Sequence, residues 1–171
     1  MKNLANKITI GRIAAVPLFL ILAYTGHIYP ALGIFVLASV SDWADGYIAR
    51  RYNQITTFGK FMDPLADKIM LISAMCYFID AGVIPGWAVA IIIFREFAVS
   101  GLRLLASDKN IVLAAAWSGK VKTTCTMVGL CLLFLFPGVL WLKAIVITAI
   151  LLSTIYSGTE YFIKNISVFY D

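Results

Sequence analysis

Charge is scarce in this chain: 13% of its 171 residues are Asp, Glu, Lys or Arg, against about a quarter in soluble domains. Such a sequence lacks the polar surface a water-soluble domain needs. Histidine occurs once, as His27, which argues against histidine nucleophiles and against zinc held by imidazoles. Cysteine occurs three times, as Cys76, Cys125 and Cys131, with no C-x-x-C spacing. An odd set inside apolar runs reads as small hydrophobic filler rather than as a disulfide or metal framework. No nicotinamide, flavin or nucleoside-triphosphate motif is present, and no internal repeat, low-complexity tract or linker. The longest polar connection, around Ser107 to Asn110, is short. One domain over residues 1–171 is expected, with no nucleic-acid partner.

What the chain has is apolar length. Hydrophobic residues make up 61% of it and the mean hydropathy is +0.91. Apolar runs of about 18 to 20 residues suffice to cross a hydrocarbon core of roughly 30 Å. Six can be read: Ile8 to Thr25, Ala31 to Arg50, Gly59 to Ile79, Gly86 to Leu105, Gly119 to Phe136, and Leu140 to Phe162. Helix breakers separate alternate runs, with Gly26, His27 and Pro30 in one turn, Asp80, Gly82 and Pro85 in the next, and Pro137 and Gly138 in the last. The opposite ends collect Lys2, Lys7, Arg12, Arg50, Arg51, Lys60, Lys68, Lys109, Lys120, Lys122 and Lys164, while Lys143 alone lies near the breaker turns. By the positive-inside rule both termini are cytoplasmic. The first run resembles a secretory signal, but no convincing small-x-small cleavage site follows it, so an uncleaved span is expected. The expected fold is all-α, a polytopic membrane bundle of about six transmembrane helices with a polar cavity facing the cytosol.

Four aspartates flank one short connection in this apolar background. Asp42 and Asp45 are three apart, and Asp63 and Asp67 four apart, so each pair shares a helical face and two facing helices would gather all four. Converging carboxylates need a cation. Oxygen-only ligands suit one or two magnesium or manganese ions. If Arg50 marks the cytoplasmic end of its helix, Asp45 lies about 8 Å and Asp42 about 12 Å further in, at 1.5 Å per residue. Exposure to lipid at that depth costs about 2.5 to 3.5 kcal/mol per carboxylate even on a lenient scale, so a polar cavity is required.

Arg95 and Glu96 fall near the middle of the fourth run under the same constraint. Either they pair with each other or one faces a bound anion. Gly46 and Ala49 lie on the helix of the first acidic pair, leaving room for a ligand or for a neighbouring helix. Arg50 is placed to meet a phosphate oxygen or to anchor at the interface.

The pattern Asp42-x2-Asp45-Gly46-x2-Ala49-Arg50-x8-Gly59-x3-Asp63-x3-Asp67 is similar to the signature of the CDP-alcohol phosphotransferases, membrane enzymes that join an alcohol to the group carried by a CDP-linked donor. The likeness runs on through Asn6-Lys7-Ile8-Thr9-Ile10-Gly11-Arg12, Phe94-Arg95-Glu96-Phe97, Gly101-Leu102-Arg103 and Ser118-Gly119-Lys120-Val121-Lys122-Thr123. There the chain most resembles the bacterial branch whose acceptor is sn-glycerol 3-phosphate. Ala5 departs from the proline usual before that asparagine.

The resemblance implies a division of labour. Asp42, Asp45, Asp63 and Asp67 would hold two Mg2+ (or Mn2+) ions over the donor diphosphate, with Asp67 also the general base. Asp45, Gly46, Ala49, Arg50, Gly59 and Lys60 would take the CDP-diacylglycerol donor. The acceptor phosphate would meet some of Thr9, Arg12, Arg95, Arg103, Ser118, Lys120 and Lys122. For Lys120 and Lys122 a plain positive-inside role stays open, as does a Glu96 salt bridge for Arg95. A homodimer among membrane lipids is implied by the family alone.

Other readings predict other observations. An inositol phosphate acceptor also needs cations, and a cardiolipin synthase of this family would take phosphatidylglycerol. A small ion-coupled transporter would also place acids and an arginine at mid-membrane but would release no CMP. A cardiolipin synthase using histidine nucleophiles is disfavoured by the single His27.

Overall fold

Glycine and proline set the helix ends. The computed structural model describes the backbone of residues 4–52, 57–109, 111, 113 and 116–169, and the side chains of 10–41, 68–107, 109, 111, 113, 116–166 and 168. Its regular structure is helical: α1 (Leu4–Tyr24), α2 (Ile28–Tyr52), α3 (Thr57–Asp80), α4 (Gly86–Asp108), α5 (Trp117–Leu135) and α6 (Leu140–Lys164), then a 3-10 turn at Ile166–Phe169. No strand occurs among the described residues. Gly26 (φ 82°) and Gly82 (φ 66°) take the left-handed conformation just past α1 and α3, where a β-carbon would be strained. Pro30 is the third residue of α2, in the first turn, where a missing N–H leaves no hydrogen bond unmade. That is why α2 begins at Ile28, ahead of the expected Ala31. Pro17 lies inside α1.

The chain forms two compact units, residues 1–81 and 82–171. In the first, α1 packs on both α2 and α3, which also touch each other. Alanines at 23, 31, 38 and 74 are buried there among Phe19, Phe35, Met75 and Phe78, and their small side chains let helix backbones approach closely. At the far end of this unit, Tyr24 Oη of α1 donates to Asp80 of α3, and the Tyr24 ring meets Tyr77 edge-on at 5.5 Å.

In the second unit α6 is central, packing on α4, on α5 and on the 3-10 turn. Gly129 of α5 faces Val146 and Ile150 of α6 so closely that a β-carbon at 129 would lie 2.9 Å from each. Val99, Leu102 and Ala106 of α4, Tyr161 of α6 and Val168 form a separate buried cluster. Lys109 Nζ ties the tail to α4 by donating to the Val168 carbonyl at 3.0 Å.

The outer faces are apolar. Phe94 is 75% exposed and Leu140 78%, and Leu18, Ile21, Leu37, Leu104, Leu152 and Ile155 are likewise uncovered. Hydroxyl groups fold back onto their own helices, as Ser39 does on the Phe35 carbonyl, Ser100 on Glu96 and Thr126 on Lys122, a habit of polar side chains in apolar surroundings. Among the described residues two helices, Trp117–Leu135 and Leu140–Lys164, are long and apolar enough to cross a membrane by length and composition alone, and Ile10–Tyr24 and Ile28–Ser41 form shorter apolar helices. The sequence led to an expectation of six such runs. α4 departs from it because Arg95, Glu96 and Arg103 lie along its length.

Candidate functional site

α4, α5 and α6 meet around a buried cluster of polar side chains. Arg95 Nη1 donates to Glu96 Oε1 at 3.2 Å, and Lys122 Nζ of α5 donates to the same oxygen. Arg95 Nη2 donates to Ser157 Oγ of α6. The side chains of Arg95, Glu96 and Lys122 are 13%, 17% and 2% exposed. Two cations thus share one carboxylate oxygen away from bulk water, where charge–charge attraction is screened little. Arg95 Nε is buried without a hydrogen bond to any described residue. A buried donor left over in this way is rare and fits a missing oxygen partner. Ser118 Oγ meets the Glu160 carboxylate only outside hydrogen-bonding geometry.

Of the two alternatives for Arg95, the pairing with Glu96 is present, and Nε remains without a described partner. The two lysines separate. Lys122 is buried against Glu96, so a headgroup-anchoring role does not describe it. Lys120 is exposed and lies over the Trp117 ring at 5.7 Å, along an outer groove with Val121, Thr124, Cys125 and Val128. Arg103 stands apart as well, with Nε donating to Tyr161 Oη at 3.0 Å and its guanidinium 5.4 Å from the ring centre. Ser118 lines a second groove, of about 410 Å3, which runs over Val121, Leu152 and Tyr156 to Glu160. Of the expected acceptor set, the second unit therefore brings Arg95 and Lys122 together and turns Lys120 and Arg103 to other partners. Arg12 is buried in the first unit.

Ser157 and Gly158 were not among the expected site residues. A β-carbon on Gly158 would lie 3.1 Å from Arg95 Cγ, and one on Gly119 would lie 3.9 Å from Arg95 Nη2. The signal that marks them is local. Thr154, Ser157 and Gly158 stand at helical spacing on the buried face of an otherwise apolar helix.

The acidic residues belong to the first unit. Asp42, Asp45, Gly46, Ala49 and Arg50 lie within α2, and Gly59, Lys60, Asp63 and Asp67 within α3; their side chains, and that of Thr9 in α1, lie outside the described residues. The helical backbone puts the spacings of three and four on one face of each helix, and α2 packs on α3. A donor set of oxygens alone fits magnesium or manganese. Among the described residues no group of three or more His, Cys, Asp or Glu could hold a metal.

Among the described residues, long helices with uncovered apolar faces enclose a buried cluster of polar side chains, an all-helical architecture. The chain belongs to the CDP-alcohol phosphatidyltransferase family, whose model matches residues 2–156, and it is a transferase of that family. It is 39% identical to the CDP-diacylglycerol–glycerol-3-phosphate 3-phosphatidyltransferase of Bacillus subtilis (strain 168), over 96% of each chain. It is 36% identical to the protein of the same name from Rickettsia typhi, over 95% of this chain and 96% of that one. A probable phosphatidylglycerophosphate synthase of Mycobacterium tuberculosis is 38% identical over 93% of this chain and 79% of its own.

Proposed function

We propose that this protein transfers the phosphatidyl group of CDP-diacylglycerol to sn-glycerol 3-phosphate, giving phosphatidylglycerophosphate and CMP. The observation that carries the reading is the match, along 95% and 96% of the chain, to relatives named for that reaction. In the transfer, a hydroxyl oxygen of glycerol 3-phosphate bonds to the phosphorus bearing the diacylglycerol. The bond from that phosphorus to the CMP oxygen breaks, and CMP leaves with the electron pair.

Asp42, Asp45, Asp63 and Asp67 are the residues that would hold two divalent ions. When bound, such ions neutralise diphosphate charge and stabilise attacking and leaving oxygens together. Asp67 takes the hydroxyl proton, for which it must be ionised and within hydrogen-bond reach of that oxygen. Asp45, Gly46, Ala49, Arg50, Gly59 and Lys60 serve the donor nucleotide and its phosphates. Arg95 and Lys122 receive the dianionic acceptor phosphate, with Ser118 as a hydroxyl partner. The convergence of two buried cations and the Arg95 Nε donor without a described partner support that role. Arg103 and Lys120, engaged with Tyr161 and Trp117, are the weaker members of the set.

The apolar outer faces support a multi-pass membrane protein whose six helices cross the bilayer as one domain, with both termini and the polar site on the cytoplasmic side of the cell membrane. Within the second unit Glu96 meets Lys122, Arg95 meets Ser157 and Arg103 meets Tyr161, which supports a crossing by α4 despite its charges. A homodimer follows from the family resemblance.

The test is CMP release by the purified protein with CDP-diacylglycerol and magnesium, offered glycerol 3-phosphate, inositol phosphate, serine or phosphatidylglycerol in turn. Release with glycerol 3-phosphate alone is expected. Release only with another acceptor would overturn the substrate assignment, and none with any acceptor would overturn the activity.

A further inference from the structure

We propose that Ser157 and Gly158 of α6 are positioning residues that fix the Arg95 guanidinium for the acceptor phosphate. The inference rests on the acceptor role given to Arg95 above and extends it to a helix that carries none of the assigned residues. Arg95 leaves α4 and passes directly over Gly158, where a β-carbon would come within 3.1 Å of Arg95 Cγ. Relaxed carbon–carbon contacts lie at about 3.5 to 4.0 Å, so any side chain at 158 displaces the stem. The guanidinium then meets the neighbouring residue, Ser157, whose Oγ accepts from Nη2. Ser157 is 1% exposed, so no water competes for that bond.

Two fixed points orient a planar fork where one would not. Nη1 is tied to Glu96 Oε1 at 3.2 Å and Nη2 to Ser157, which sets the plane of the guanidinium and the direction of Nε, the donor that has no described partner. An arginine recognises a phosphate through pairs of N–H groups in a rigid geometry. The residues that set its plane therefore govern acceptor affinity without touching the acceptor. Glycine within a helix carries an intrinsic penalty relative to alanine, and at 158 close passage of the Arg95 stem gives a reason for it.

The experiment measures CMP release by the full-length protein in detergent with magnesium, varying glycerol 3-phosphate at saturating CDP-diacylglycerol and then the reverse. Ser157→Ala and Gly158→Ala are each expected to raise the KM for glycerol 3-phosphate roughly ten-fold, the scale of one charge-assisted hydrogen bond. The KM for CDP-diacylglycerol should stay close to that of the parent, and the thermal midpoint should fall only modestly, as expected for one stranded buried donor or one crowded methyl group. Gly33→Ala, where the added methyl group meets open space, controls for a glycine replacement within a helix. If Gly158→Ala does not fold, Ser157→Ala decides the matter. A folded Ser157→Ala protein with both KM values unmoved, or both raised together, overturns the positioning role while the activity stands. A parent protein that takes no glycerol 3-phosphate overturns the reading beneath it and this one with it.

Discussion

Lys122 of α5 and Glu96 of α4 form an ion pair in which the lysine side chain is 2% exposed, and Arg95 shares the same carboxylate oxygen. Glu96 is therefore a counter-charge shared by two buried cations. Glu96→Gln keeps the shape but removes the charge, and breaking a buried pair from one side costs about 3 to 5 kcal/mol. A large fall in the unfolding midpoint in detergent is expected. Because the penalty lies in the stranded cations, Glu96→Gln combined with Lys122→Met should recover a substantial part of it. A double variant less stable than Glu96→Gln alone would show that the pair is not the source.

Tyr161 fills the cluster of Val99, Leu102, Ala106 and Val168 and accepts from Arg103 through its hydroxyl. Tyr161→Phe retains the ring and loses only the hydrogen bond, a cost of about 1 kcal/mol. Tyr161→Ala opens a cavity and should cost about 3 to 5 kcal/mol. Equal losses from the two variants would mean that the hydroxyl, rather than the ring, carries the contribution.

Gly129 of α5 packs against α6, where a β-carbon would lie 2.9 Å from Val146 Cγ1 and Ile150 Cδ1. Alanine there gains up to about 1 kcal/mol in helix propensity against an overpacking cost of about 1 to 3 kcal/mol, so mild destabilisation is expected. Leucine forces the helices apart and should be far worse. Thermal scans that rank Leu at or above Gly would refute the close contact.

The oxygen-only acidic set predicts dependence on a hard divalent ion. Chelation by EDTA should reduce CMP release to background, and added magnesium or manganese should restore it. Asp67→Asn should lower kcat by at least about 100-fold, the lower range for loss of a general base, and should leave a folded protein. Turnover that persists in EDTA would sink the metal assignment, and a nearly normal Asp67→Asn enzyme would remove that residue from the base role.

How far the sequence reveals this molecule depends on how local each signal is. Pro85 and the Pro137–Gly138 pair locate the starts of α4 and α6, expected at Gly86 and Leu140 and found there, because a helix breaker acts on its own neighbours. Arg95 and Glu96 were legible as a buried-charge problem with two answers, and the structure shows the ion pair. The partners from α5 and α6 were not legible. Ser157 stands 62 positions from Arg95, and nothing local to either residue specifies that meeting. Lys120 and Lys122 were indistinguishable as two basic residues at a helix start, yet packing buries one and leaves the other on Trp117. Composition alone also blurred α4, whose mid-helix charges separate it from the apolar pattern of α5 and α6.

Those charges bear on biogenesis. On the membrane topology proposed above, α4 reaches the bilayer with Arg95, Glu96 and Arg103 before Lys122 and Ser157 have left the ribosome to pack against it. Each unpaired ionised group near the middle of a lone helix opposes insertion by about 2.5 to 3.5 kcal/mol. On that topology stable integration of α4 is expected to wait for the hairpin that follows it, and a chain truncated after Lys109 should leave this helix incompletely inserted.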